Sequence, residues 1–131
     1  MSLTRTHVLL DQEVTFEAGH RAWDAYEKHT GRSVLAATHL RELFTAGIST
    51  VHEFGWALSA RWRAAHAPTW LYEGWLDVLP PVGSDSWDEL HAKVSDLVGL
   101  AFYGKTWAEL LQMLEELAVE AKRQAEKVIS G

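Results

Sequence analysis

Two short patterns in the sequence have the spacing of metal ligands. Glu17 and His20 form a Glu-x-x-His unit, which places both side chains on one face of a helix and is used in pairs by carboxylate-bridged di-metal bundles. His39 and Glu42 also lie one helical turn apart. A second Glu-x-x-His unit and the further ligands that a zinc ion requires are missing from the sequence around them. We therefore predict that the protein holds no metal.

A third pattern, over residues 99–106, matches the phosphate-binding loop motif of two glycines followed by Lys105 and Thr106. A functional loop of this kind follows a buried strand and opens a helix, whereas residues 86–101 have the spacing of a helix. We interpret Gly104 as the end of one helix and Thr106 as the cap of the next. With no serine in a nucleophile elbow and seven scattered histidines, we predict no catalytic residue, no cofactor and no enzymatic activity.

Composition restricts the classes of partner. A chain of 131 residues with 47% hydrophobic residues fits a single domain, which we place over residues 1–131. The net charge of -6 repels a phosphate backbone, so nucleic acid is not an expected partner. The absence of cysteine excludes disulfides and thiolate chemistry. No apolar stretch approaches the ~20 residues that cross a bilayer, and no leader is visible, so we expect a soluble protein without a membrane partner.

Hydrophobic patterning predicts a mainly α fold, a small domain of five to six helices with a short N-terminal β-hairpin. Two β-prone runs around a polar turn place the hairpin over residues 7–17. The helical core follows over residues 18–103, with Gly31 as the stop of its first helix. A long C-terminal helix is predicted over residues 106–129.

Three capping boxes and one proline mark the predicted helix starts. Thr50 with Glu53, Ser86 with Glu89, and Thr106 with Glu109 each have the Thr/Ser-x-x-Glu form, in which two side chains satisfy free backbone donors. We expect the first of these helices to run from residue 50 to residue 66. Pro68 is expected in the first turn of a further helix that ends near residue 79.

Apolar residues of the last helix recur at alternating steps of four and three. This heptad-like seam predicts either a helix packed on its own domain or one that pairs with a partner or a second copy. The seam consists of Trp107, Leu111, Leu114, Ala118, Ala121, Ala125 and Val128.

Trp70, Tyr72 and Trp75 spread around a whole turn of a short helix. Either they form a crowded aromatic core or at least one ring lies at an interface. Together with Trp107, Leu111, Leu114 and Ala118 of the seam, they are the predicted protein-binding residues.

The order of these segments resembles the tail assembly chaperones of long-tailed, siphovirus-type bacteriophages. The resemblance covers about residues 7–103 and depends on helix and turn signals, without a catalytic motif. It is carried first by Val14-Thr15-Phe16 before an aromatic helix that ends as Tyr26-Glu27-Lys28-His29-Thr30-Gly31-Arg32-Ser33-Val34-Leu35. The later helices also fit, with Leu40 to Phe44, the run Phe54-Gly55-Trp56-Ala57-Leu58, and Ala67-Pro68-Thr69-Trp70 before Leu76-Asp77-Val78-Leu79.

Membership of this family implies a non-enzymatic protein that binds the tape measure protein, keeps it soluble and recruits tail tube subunits during tail assembly. It also implies a homo-oligomer that acts in the host cytoplasm and is not expected in the mature virion. An alternative is a small helical adaptor or regulatory protein that dimerises through residues 107–128 and binds one specific protein. A helical enzyme using clustered histidines and carboxylates is the third hypothesis.

Overall fold

The computed structural model describes residues 3–45 and 47–130. Within this part of the chain the protein has two strands and eight helices, which confirms the mainly α class with an N-terminal hairpin. The helices outnumber the five to six expected, in part because the segment predicted as one helix over residues 50–66 divides into two. The elements are β1 (Leu3–Leu9), β2 (Gln12–Ala18), α1 (His20–Thr30), α2 (Val34–Ala37), α3 (Leu40–Thr45), α4 (Ile48–Leu58), α5 (Ala60–His66), α6 (Tyr72–Val78), α7 (Asp85–Tyr103) and α8 (Trp107–Ser130).

The hairpin is longer than the predicted span of residues 7–17. β1 and β2 pair antiparallel from Leu3 opposite Ala18 to Leu9 opposite Gln12. The turn therefore consists of Leu10 and Asp11 alone, and both have positive φ, at 48° and 62°. Two residues of positive φ give the turn a twist that matches that of the strands, which is why the ladder continues up to the turn.

The core lies between one face of this hairpin and helices α1, α4, α6 and α7. Trp75 is at its centre and is fully buried. Its ring meets Phe16 edge-on with centroids 6.1 Å apart, and its indole N–H donates to the His52 carbonyl at 3.2 Å. Gly55 allows this close approach, because a Cβ there would lie 3.1 Å from the Trp75 ring.

The predicted capping box at Thr50 and Glu53 is wrong. α4 begins two residues before Thr50, and Gly47 is its N-cap. Glu53 instead accepts a hydrogen bond from the Arg32 guanidinium at 2.7 Å. The helix expected over residues 50–66 also ends early, at Ser59, whose hydroxyl donates to the Trp56 carbonyl at 3.0 Å before α5 begins.

The other two capping boxes have different outcomes. Ser84, not Ser86, is the N-cap of α7, and its hydroxyl accepts from the Trp87 N–H at 3.2 Å. The box at Thr106 is confirmed: the Thr106 N–H donates to Glu109 Oε1 at 3.0 Å, and the Glu109 N–H donates to Thr106 Oγ1 at 3.2 Å.

Pro68 does not open a helix, which is a further correction. It lies in a turn closed by the Trp70 N–H, which donates to the carbonyl of the buried Ala67 at 3.1 Å. α6 begins only at Tyr72. Because this hydrogen bond closes a turn at Pro68, α6 begins about one helical turn later than predicted.

The connection between α7 and α8 is a tight backbone contact. Gly104 ends α7 in the left-handed region, and its N–H donates to the Leu100 carbonyl at 3.1 Å. Inside α7, a Cβ on Gly99 would lie 2.5 Å from the Lys105 carbonyl oxygen and 3.0 Å from Leu110 Cδ1. Gly99 therefore serves helix packing and Gly104 ends the helix, and the pattern follows the body of α7 where a phosphate-binding loop would follow a strand.

Gly99→Ala is expected to lower the free energy of unfolding by about 2 kcal/mol, because the new methyl group meets backbone that cannot move aside without displacing α8. Urea unfolding measures this change. Gly74→Ala is the matched control, since Gly74 is exposed and nothing lies within 4 Å of its added Cβ. A Gly99→Ala protein as stable as wild type would contradict this account of the junction.

Leu10→Asn combined with Asp11→Gly is expected to stabilise the protein by about 1 kcal/mol, because Asn and Gly adopt positive φ with less strain than Leu and Asp. Both native residues are exposed, so little packing is lost. Thermal unfolding followed by circular dichroism checks the expected rise in Tm. A lower Tm would show that Leu10 or Asp11 contributes contacts that outweigh the backbone strain.

Candidate functional site

Only the first turns of α8 are attached to the domain. Leu110 is fully buried, and the half-buried Trp107 lies 5.3 Å, centroid to centroid, from the Phe44 ring of α3. The Trp107 N–H donates to Asp96 Oδ1 on α7 at 2.9 Å. Together with the Thr106 capping box, these contacts fix the start of the helix.

Beyond Leu110, α8 leaves the domain. Among the elements that the structure describes, α7 is the one with which α8 makes extensive contact. From Leu111 to Ile129 every residue except the half-buried Met113 is exposed. At 1.5 Å per residue this part of the helix is about 28 Å long. Most of α8 is therefore not stabilised by packing against its own domain.

The exposed part of α8 is amphipathic. Its apolar side, which we name the α8 stripe, consists of Leu111, Leu114, Ala118, Ala121, Ala125 and Val128. The exposed fraction is 40% for Leu111, 42% for Leu114 and 82% for Val128. Glu120 and Arg123, outside the stripe, pair with each other at 2.6 Å. An exposed apolar surface of this kind is a candidate interaction site.

The structure limits the intramolecular packing of the last helix to its first turns. Of the predicted binding residues of α8, Trp107 contacts the domain, whereas Leu111, Leu114 and Ala118 are exposed on one side of the helix. Pairing of this side with a partner or a second copy stays a prediction.

The three aromatic residues predicted around α6 do not form one surface. Trp75 is fully buried, so its side chain belongs to the core and is not accessible to a partner. Trp70 and Tyr72 are half-buried. Leu71, between them, is 75% exposed. This segment offers a second, smaller apolar surface, formed by Leu71 and the edges of its two aromatic neighbours.

Aromatic contacts hold Tyr72 and Trp70 in place. The Tyr72 ring lies 4.1 Å from the His29 ring and 5.6 Å from the Trp56 ring, while Trp70 lies 5.8 Å from Trp62. Burial raises the pKa of Tyr72, so its hydroxyl stays neutral at physiological pH. The ring contacts of this group and those of Trp107 have no residue in common among the described residues.

A cation stabilises the middle of this aromatic group. The Arg63 guanidinium lies 3.2 Å over the Trp56 ring, and its Nη2 donates to the Trp56 carbonyl at 2.7 Å. Burial lowers the pKa of Arg63 to about 10, which still leaves it charged at neutral pH. The same guanidinium donates through Nε to Ser59 Oγ at 3.1 Å, which ties α5 to the end of α4.

Sequence reasoning missed one polar cluster, formed by His7, Ser86 and Lys93. His7 Nε2 lies 3.0 Å from Ser86 Oγ, and His7 Nδ1 lies 3.1 Å from Lys93 Nζ. Lys93 also donates to the Thr6 carbonyl at 2.8 Å. The only signal in the sequence was the position of His7 on the same strand face as Leu9, which gives no information about α7.

The proton positions in this cluster do not suit serine activation. An ammonium group has no acceptor, so Lys93 must donate to His7 Nδ1, and the ring proton then lies on Nε2. Nε2 therefore donates to Ser86 Oγ, whereas a general base has to accept the serine proton. The cluster instead joins β1 to α7.

Neither pair of residues with metal-ligand spacing lies within one helix. Glu17 lies on β2 and pairs with Arg61 at 3.3 Å, while His20 is the first residue of α1. His39 precedes α3, which contains Glu42. Within residues 3–45 and 47–130, no three histidine or carboxylate side chains are grouped as a metal ion would need. None of the helices described is both long and apolar enough to cross a bilayer.

His7 is expected to make stability depend on pH. Burial and the neighbouring Lys93 lower the pKa of His7 in the folded protein. As the pH falls below about 6.5, the unfolded chain binds the proton first, so the free energy of unfolding decreases from about pH 7 towards pH 5. His7→Gln should make this decrease shallower, measured by urea unfolding across that range.

His20→Gln is the control for this experiment, because it removes an exposed histidine and leaves the His7 contacts intact. It should retain the wild-type decrease. Equal pH dependence in the His7→Gln and wild-type proteins would show that His7 is not the group responsible. His52, whose pKa is also lowered by burial, would then be the next histidine to replace.

No protein-family model, curated protein or solved structure matches the chain significantly.

Proposed function

We propose that the protein is a phage tail assembly chaperone that binds an apolar helical segment of the tape measure protein through the α8 stripe. The observation that carries the proposal is a helix whose apolar side is exposed beyond its first turns. In this role the protein keeps its client soluble and recruits tail tube subunits. It acts in the host cytoplasm as a homo-oligomer and is left out of the mature virion.

The shape of the stripe fits a helical client. Ala118, Ala121 and Ala125 have short side chains, so a second helix can approach the backbone of α8 closely along this half. Leu111 and Leu114, nearer the domain, supply larger apolar contacts. An amphipathic helix binds such a surface by burying its own apolar side against it. Tape measure proteins, with long apolar helical surfaces, present clients of this kind.

Charge supports the same role. The chain carries a net charge of -6, so complexes that contain several copies repel one another and stay dispersed. Repeated weak contacts along one long client would be strengthened by the high local concentration of neighbouring sites. An escort of an apolar protein needs both properties, because it must cover the client without aggregating itself.

The exposed helix equally favours a second function, that of an adaptor or regulator which dimerises and binds one specific protein. The two functions differ in the client. A chaperone of this family coats a long protein with many copies, whereas an adaptor binds one site with a fixed number of copies.

Co-expression with the tape measure protein of the same phage tests the chaperone proposal. The wild-type protein should increase the soluble fraction of its client several-fold. Ala118→Glu should abolish the increase, because it places a charge in the middle of the stripe. Val119→Glu is the matched control, since it adds the same charge at the neighbouring exposed position outside the stripe and should behave as wild type.

A client that stays insoluble with the wild-type protein would contradict the chaperone function. Equal activity of the Ala118→Glu and Val119→Glu proteins would instead exclude the α8 stripe as the contact surface. The surface around Leu71 would then be the one to test, with Leu71→Glu.

A further inference from the structure

We propose that in the free protein the α8 stripe is covered by α8 of a second copy, running antiparallel in one defined register. Leu111 lies opposite Val128 of the second copy, Leu114 opposite its Ala125, and Ala118 opposite its Ala121. By two-fold symmetry each of these contacts occurs twice. The pair is isologous, so it closes at two copies through this surface.

The spacing of the stripe is that of a helix that pairs with another helix. Its residues alternate in steps of three and four, as the a and d positions of a two-helix coiled coil do. The stripe is exposed along about 26 Å, from Leu111 to Val128. A second helix of the same length covers all of it, which no segment of the described domain does.

Charge selects the antiparallel orientation. Glu115 and Lys122 each follow a stripe residue by one position, so both flank the stripe on the same side. In the antiparallel register Glu115 lies beside Lys122 of the second copy, and the symmetry-related pair repeats the contact. In a parallel pair, Glu115, Lys122 and the other residues on this side of the stripe would face the opposite side of the second helix. That side carries Leu110, Leu117 and Gln124, so no opposite charges would meet.

The position of the domain points to the same orientation. Each domain is attached at the N-terminal end of α8. A parallel pair would place two domains of a chain with net charge -6 side by side, while an antiparallel pair separates them to opposite ends. The helix dipoles are also opposed favourably when the helices run antiparallel.

The distribution of side-chain size is compatible with this register. Leu111 and Leu114 lie at one end of the stripe, and three alanines follow them. In the antiparallel pair the bulky residues of one helix meet the smaller residues of the other at both ends. A parallel pair would place all four leucines together at one end, so the helices would diverge there.

Self-pairing and client binding use the same stripe, so a client would have to displace the second copy. The displacement of the second copy by a client rests on the proposed function, whereas the pairing of two copies does not. The pair is therefore tested on the purified protein alone, without client.

Cysteine cross-linking tests the register directly, because the native chain contains no cysteine. Leu111→Cys and Val128→Cys proteins are oxidised separately and as a mixture, with one of them carrying a size tag. The mixture should form the disulfide-linked heterodimer. Each variant alone should stay monomeric on denaturing electrophoresis, since like positions lie about 26 Å apart in the antiparallel pair.

Cross-linking of each variant with itself would establish a parallel pair and overturn the proposal. A mixture without heterodimer, together with a monomeric mass of the native protein at every concentration in sedimentation, would overturn pairing altogether. Failure of the client assay leaves these outcomes unaffected, so the two proposals are tested independently.

Charge exchange provides a second test on the native cysteine-free chain. Glu115→Lys and Lys122→Glu should each raise the dimer Kd about tenfold, because each change replaces two attractive contacts with repulsive ones. The double variant should return to within about twofold of wild type, since the opposite charges meet again. Glu116→Lys, which adds the same charge on the far side of the helix, is the control and should leave the Kd near wild type.

A double variant that associates as weakly as the single variants would contradict the Glu115–Lys122 contact and with it the register. Circular dichroism confirms that all four proteins keep the helical content of wild type. A change in Kd then reports pairing and not unfolding.

Discussion

The close approach of Gly99 to the Lys105 carbonyl is the constraint from which the arrangement of the C-terminal half follows. α7 packs along β1 and α4 through its buried side, and its last turn is stopped by Gly104 in the left-handed region. Because the backbone after α7 turns back against Gly99, Leu110 reaches the core within the first turn of α8. The direction of α8 is therefore set by Leu110, before the mostly exposed residues 111–129.

The core is complete without the rest of α8. Trp75, Phe16 and Phe54 fill the space between the hairpin and the helices, and no described buried side-chain nitrogen or oxygen lacks a hydrogen-bond partner. The apolar residues of α8 after Leu110 are therefore not needed to complete this core. Their spacing continues along the helix although intramolecular packing does not require it, which is the physical reason for the proposal that they make contacts between molecules.

Local rules predicted those features that depend on a few neighbouring residues. Gly31, Gly104 and the Thr106 capping box were placed correctly because backbone conformation and nearby hydrogen bonds decide them. The contact between His7 and Ser86 could not be predicted, since it joins two elements that are 79 residues apart in the sequence. For the same reason three similar aromatic residues around α6 were grouped, although tertiary packing buries Trp75 and leaves Trp70 and Tyr72 half-buried.

The separation of α8 from the domain divides the chain into two parts that differ in their tolerance of substitution. A change at a buried core position acts on folding and leaves the exposed side of α8 in place, while a change at an exposed position of α8 alters that surface at little cost to the fold. The side chains that α8 presents to its surroundings can therefore be exchanged a few at a time, and the hairpin and the helices beneath it stay as they are.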